Sequence, residues 1–159
     1  MRRFVVSTVI TVAALGVSRP ACADATAFIG TASNPSNRLA KGFSAGSSLI
    51  IIGFEFEYAS VSKDEVTLAP SLRTWMGNVL LQTPDVGTFQ LYATAGGGLY
   101  REELVTNATT SFGVNTGGGV KIPLVGPLRL RLDYRFFKLH GSPLYSQSQR
   151  FYAGVNLKF

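Results

Sequence analysis

Three arrangements in this chain set reactive side chains at spacings that could do chemistry. His140-Gly141-Ser142 places an imidazole two residues from a hydroxyl, the minimum for a base and a nucleophile. Glu55 and Glu57 occupy alternate positions, so in an extended chain both carboxylates face one side and could share acid–base work. Gly96–Gly98 and Gly117–Gly119 are glycine triplets of the kind that can cradle a phosphate. Each has a plainer reading. A base needs a group to orient it, and no Asp or Glu follows Asp133. The glycine triplets lack the Lys-Ser/Thr and the helix that a phosphate loop requires. The paired glutamates share the chain with a run of arginines, which favours ion pairing. No His, Cys and carboxylate set has metal-ligand spacing, so neither a metal nor a cofactor is expected.

The elements that must position these residues are strands. In the last ten residues, Phe151, Ala153, Val155, Leu157 and Phe159 alternate with Arg150, Tyr152, Gly154, Asn156 and Lys158. Side chains alternate across a strand, so this segment has one apolar face and one polar, cationic face. The stretch from Leu128 to Phe136 is sorted more sharply. Leu128, Leu130, Leu132, Tyr134 and Phe136 share one face, and Arg129, Arg131, Asp133 and Arg135 the other. Phe54, Phe56 and Tyr58 similarly oppose Glu55 and Glu57.

Alternation bounded by turn residues predicts eight strands. They run about Ala25 to Ser33, Leu39 to Ser48, Ile50 to Val61, Val66 to Leu81, Thr88 to Arg101, Thr109 to Ile122, Leu128 to Phe136, and the closing segment. The fourth places Leu72, Thr74 and Met76 opposite Ser71, Arg73 and Trp75, then slips in phase near Gly77, which predicts a bulge there. Turns are expected at Ser48–Ile50, Gln82–Gly87 and Pro123–Pro127, with loops near Asn34, Lys63, Glu102 and Ser142.

The N-terminus indicates export. Met1-Arg2-Arg3 is a positive start, Phe4 to Val17 is uncharged and mostly apolar, and Ala21-Cys22-Ala23 is a small-x-small cleavage site. This pattern predicts a signal peptide over 1–23 and a mature chain over 24–159. Three arginines leave with the signal, so the formal balance of 15 Lys plus Arg against 9 Asp plus Glu becomes 12 against 9. Cys22 leaves as well, so no disulfide or thiolate site is expected. No basic cluster is interleaved with stacking aromatics on a recognisable module, which argues against nucleic acid as a partner. No later stretch approaches the ~20 apolar residues of a membrane helix.

Two kinds of barrel could carry these strands. A soluble one puts apolar residues inside, whereas a membrane one puts them outside. Charges collect on the polar faces and aromatics on the apolar faces, which selects the membrane barrel. The fold expected is all-β: an eight-stranded antiparallel up-and-down transmembrane β-barrel. Its interior is just wide enough for side chains to fill, so inward charges must pair. The expected lumenal ion-pair network is Glu55, Glu57, Arg73, Arg129, Arg131, Asp133 and Arg135, with Gly96, Gly98, Gly117 and Gly119 making room for it.

The signal, the eight strands, the terminal Phe159 and the segments Gly53–Tyr58, Tyr92–Tyr100 and Leu132–Phe136 resemble the small outer-membrane β-barrels of the OmpA/OmpX type. The resemblance implies outer-membrane location after export through the inner membrane. It also implies an assembly signal formed by Phe151, Tyr152, Val155, Leu157 and Phe159. The partners implied are the insertion machinery, periplasmic chaperones, outer-membrane lipids and lipopolysaccharide, around a monomer. His140-Gly141-Ser142 resembles the His-x-Ser of outer-membrane lipid A deacylases, but Pro143 stands where that family has Asn. The expectation is therefore a scaffold with a plugged lumen and no catalytic residues. A hydrolase using His140 and Ser142, or a narrow solute channel, is the alternative.

Overall fold

The computed structural model describes residues 22–34, 36–64, 66–84, 88–104 and 107–159. Residues 1–21 of the expected signal segment 1–23 lie outside the described residues, as does part of the turn at 82–87, while Cys22 and Ala23 fall in the first strand. Eight strands follow in order: β1 Cys22–Ser33, β2 Arg38–Leu49, β3 Ile52–Val61, β4 Ser71–Gln82, β5 Gln90–Leu104, β6 Asn107–Pro123, β7 Leu128–Leu139 and β8 Gln147–Lys158. Each pairs antiparallel with the next, and β8 pairs with β1 to close a barrel.

The register fixes the shape. Pairs followed once round the barrel lead from Ala23 through Ser47, Phe54, Val79, Ala95, Thr116, Phe136 and Gln149 to Ser33. The return is ten residues further along β1, from position 23 to position 33. Eight strands with that stagger tilt by roughly 40° from the barrel axis and leave an interior that side chains fill. The row of pairs climbs away from the chain termini as it passes from β1 to β8.

Burial is inverted relative to a soluble barrel. Phe54 is 59% exposed and Phe56 48%, while Glu55 and Glu57 at the alternate positions are 4% and 1% exposed. On β7, Tyr134 and Phe136 point outward, and Arg131, Asp133 and Arg135 are buried inside. Closure also removes the free edges that an open sheet would present.

Three strand-level expectations are corrected. β4 pairs without interruption with β3 and β5 through Gly77 and Asn78, so it has no bulge. Its phase is constant: Leu72, Thr74, Met76, Asn78 and Leu80 point inward, and Arg73, Gly77, Val79 and Leu81 outward. The apparent slip arose because both of its faces carry apolar residues. Those inward ones join a second correction, that the lumen is not polar throughout. Away from the termini it is filled by Ala32, Ala40, Val61, Leu72, Met76, Tyr100, Phe137 and Leu139. The third concerns the turn expected at Ser48–Ile50, because Leu49 pairs with Ile52 and the loop is Ile50-Ile51. Two-residue hairpins require positive φ, and Ile50 adopts 44°, a costly value for a β-branched residue.

Candidate functional site

The built feature of this molecule is the lumenal plug, and β7 supplies most of it. Strict alternation along β7 aims Arg131, Asp133 and Arg135 at the axis. Directly across the barrel, β3 aims Glu55 and Glu57 back. Arg131 grips Glu55 with both guanidinium nitrogens: Nη1 bonds Oε2, and Nη2 donates to Oε1 at 3.2 Å. Arg135 donates to Glu55 Oε1 at 2.9 Å, and its Nη1 sits 2.8 Å from Glu57 Oε2. Asp133 bridges the two arginines, accepting from Arg131 Nη2 at 2.9 Å and from Arg135 Nε at 2.9 Å. Planar guanidinium forks match carboxylates in this two-pronged way, which a lysine could not do.

Neutral side chains complete the coordination. Tyr92 Oη donates to Asp133 Oδ2 at 2.5 Å and accepts from Arg131 Nε at 2.8 Å. Ser44 donates to Glu55 at 3.0 Å, and Tyr152 donates to Glu57 at 3.1 Å. The Tyr152 ring stacks on Phe28 with centroids 4.4 Å apart. Arg150, fully buried, donates to Thr74 at 3.0 Å and lies 3.9 Å over the Phe137 ring. Three carboxylates (Glu55, Glu57, Asp133) share the central lumen with three guanidiniums (Arg131, Arg135, Arg150), so the formal charges balance there, although the ion pairs are made by Arg131 and Arg135. Nearer the termini, Lys121 pairs with Asp24 at 2.5 Å.

Glycine provides the room. Gly117 lies beside Arg135, where a Cβ would come within 2.9 Å of Arg135 Cγ. A Cβ on Gly119 would sit 2.5 Å from Tyr92 Oη.

The structure brings together five of the seven residues expected in the network: Glu55, Glu57, Arg131, Asp133 and Arg135. Arg129 is set apart, half-buried toward the termini, where it donates to Gln90 at 3.2 Å. Arg73 is corrected outright. It points outward and pairs with Glu103 at 3.5 Å, because the constant phase of β4 turns the odd positions out. Ser44, Tyr92, Tyr152 and Arg150 join the plug from outside the expected network, although the alternation of the last strand already puts Arg150 and Tyr152 on its polar face. Alternation alone could have found the two tyrosines, since Tyr92 shares a face with Thr94, and Tyr152 with Arg150. Of the expected assembly residues, Phe151, Val155, Leu157 and Phe159 point outward, while Tyr152 points into the plug.

His140 and Ser142 are both exposed, in the loop after β7. The His140 backbone accepts from Tyr100 Oη at 2.7 Å, and its ring lies 6.3 Å from that of Phe112. Among the described residues no hydrogen bond joins His140 to Ser142 or to a carboxylate, and no group of His, Cys, Asp and Glu could hold a metal ion.

The chain matches no family model and no curated protein sequence. Among solved structures it is similar to Neisserial surface protein A, with a TM-score of 0.68 and 21% identity over 87% of this chain and 97% of that one. It is similar to the N-terminal β-barrel domain of Pseudomonas aeruginosa OprF, at 0.67 and 14%, again over 87% of this chain and 97% of that one. The outer membrane enzyme PagL aligns at 0.55 and 8%, over 84% of this chain and 98% of that one. These likenesses are likenesses of fold: the chain has the closed, eight-stranded, all-antiparallel architecture of the small OmpA/OmpX-type outer-membrane β-barrels.

Proposed function

We propose that this chain is an integral outer-membrane protein whose plugged barrel is a scaffold for short surface loops and carries no catalytic chemistry. The observation that carries the reading is the sorting of the two faces. Phe54, Phe56, Phe136 and Phe151 are about half exposed on the outer wall, while Glu55, Glu57, Arg131, Asp133, Arg135 and Arg150 are buried in the lumen. A wall of this kind belongs in hydrocarbon, where an arginine at mid-depth would cost about 2–4 kcal/mol. In this reading both chain ends lie in the periplasm, and the loops at 34–37, 62–70 and 140–146 face outside.

The neutral plug supports a closed barrel over a solute channel. The isolated His140 and Ser142 lend a hydrolase no support. The outward face of β8, with Phe151, Val155, Leu157 and Phe159, is proposed as the surface read by the insertion machinery. Cell fractionation with N-terminal sequencing tests the reading. The mature chain is expected in the outer membrane, beginning at Asp24, and recovery as a soluble periplasmic protein would overturn it. Mass spectrometry of lipid A from cells with and without the protein is expected to show no difference.

A further inference from the structure

The strand pairing sets two rows of outward side chains side by side on the wall formed by β2 to β5. In the first, Lys41 pairs with Ser60, Ser60 with Arg73, and Arg73 with Arg101. In the second, one outward position nearer the termini, Phe43 pairs with Tyr58, and Tyr58 with Trp75. The rings are in contact: Phe43 to Tyr58 and Tyr58 to Trp75 are each 5.6 Å between centroids. Glu103 lies 3.5 Å from Arg73 and 3.1 Å from Arg101, so two arginines share one carboxylate and, with Lys41 further along the row, the row stays positive. Both arginine side chains remain nearly half exposed, at 45% and 46%.

Below the aromatic row the same wall is hollow. A groove of about 360 Å³ runs between Phe54, Phe56 and Val79 over Gly77. A Cβ built on Gly77 would meet nothing closer than the Gly97 carbonyl at 3.9 Å, so the missing side chain is what opens the groove. The opposite wall has a groove of its own, about 390 Å³ beside Phe136, Lys138 and Gln149, and differs in charge. At the corresponding level of β7 and β8 the outward residues are Lys138, Gln147 and Gln149, with a single cation.

Aromatic rings of this kind sit at the membrane–water interface, so Arg73 and Arg101, higher on the climbing row than Lys41, lie at headgroup depth and the groove at acyl-chain depth. Arginine forks suit phosphate oxygens, and attraction to anionic lipid is worth about 1 kcal/mol per cation near the surface. We propose that this wall is a binding site for a phosphate-bearing lipid of the outer leaflet. Arg73 and Arg101, with Lys41, hold the phosphate, and one acyl chain passes Tyr58 and Trp75 into the Gly77 groove. The inference rests on the outer-membrane reading given above.

Trp75 is the chain's only tryptophan and lies inside the site, so its fluorescence reports on the site directly. The protein is reconstituted into vesicles of phosphatidylcholine with a minor fraction of phosphatidic acid, one lipid or the other carrying brominated, quenching chains. At equal mole fraction, brominated phosphatidic acid is expected to quench Trp75 more strongly than brominated phosphatidylcholine. Each lost cation is expected to weaken that preference roughly fivefold. Arg73→Gln with Arg101→Gln should therefore abolish it, while Lys138→Gln, the loss of one cation on the far wall, should leave it intact where Arg73→Gln alone weakens it. Gly77→Leu, which fills the groove without a backbone clash, should also reduce it. Equal quenching by the two lipids in the unsubstituted protein, or a preference that survives the double substitution, would overturn the site. A protein that fails to float with the vesicles would instead overturn the membrane reading itself.

Discussion

Tyr92 shows what a single side chain does in the packed centre of the barrel. Its hydroxyl both accepts from Arg131 and donates to Asp133, so one oxygen closes the ring of charges. Tyr92→Phe removes it and leaves each charge one partner short, in a space where unmet hydrogen bonds cost about 1–3 kcal/mol. A lower urea midpoint in vesicles is expected, and an unchanged one would mean that water replaces the hydroxyl freely. Outside the barrel, Asp64 plays a different part. Its carboxylate accepts from Ser36 at 2.7 Å, from the Thr67 hydroxyl at 2.8 Å and from the Val66 amide at 3.0 Å. The Ser36 hydrogen bond leads in holding it well below the usual carboxylate range, at about 2. A depressed acid stabilises the folded loop above its unfolded value and loses that contribution as pH falls through the folded one. The contribution of Asp64 to its loop is therefore expected in full above about pH 4 and to fade as the pH falls toward about 2. Carboxyl NMR titration of Asp64 checks this, and a midpoint near the ordinary aspartate value would contradict it.

Among the elements, β3, β7 and β8 were legible in the sequence because charge and aromatic rings separate onto opposite faces. Glu55 between Phe54 and Phe56, or Arg131 between Leu130 and Leu132, leaves one physical choice. β4 was not legible in this way. Leu72, Met76 and Leu80 fill the lumen while Val79 and Leu81 face out, so hydrophobicity says nothing about side. Charge alone points Arg73 inward, but the constant phase of β4 turns it out to the rim of the wall, where it pairs with Glu103. The β2–β3 turn was displaced by one residue because Ile50-Ile51 lacks the Asn or Gly that marks such hairpins. That turn carries its own prediction. Ile50 at φ 44° bears backbone strain of about 1–3 kcal/mol, so Ile50→Gly should raise the unfolding midpoint. A lowered midpoint would mean that the exposed isoleucine contributes more through lipid contact than its backbone costs. On β7 the outward positions are equally strict. Leu132→Arg places charge against lipid and should destabilise by about 2–4 kcal/mol in vesicle unfolding. A neutral result would mean that position 132 does not face hydrocarbon.

For the whole molecule, closure, stagger and plug are one design. Eight strands staggered by ten residues make a lumen too narrow for anything but side chains, and the central ones balance three carboxylates against three guanidiniums. Planar-bilayer recordings are accordingly expected to show no discrete conductance steps, and regular steps would contradict a sealed lumen. The central claim is that this barrel is apolar outside and ionic inside, and Arg131→Leu tests it most directly. The substitution makes β7 more hydrophobic, yet it strands Glu55 without its two-pronged partner. Breaking such a buried pair costs about 3–5 kcal/mol, and less where lumenal water reaches the stranded charge. Urea unfolding of the reconstituted protein, followed by Trp75 fluorescence, should show a clear drop in midpoint. A midpoint equal to or above that of the unsubstituted protein would contradict the inside–outside assignment and the plug with it.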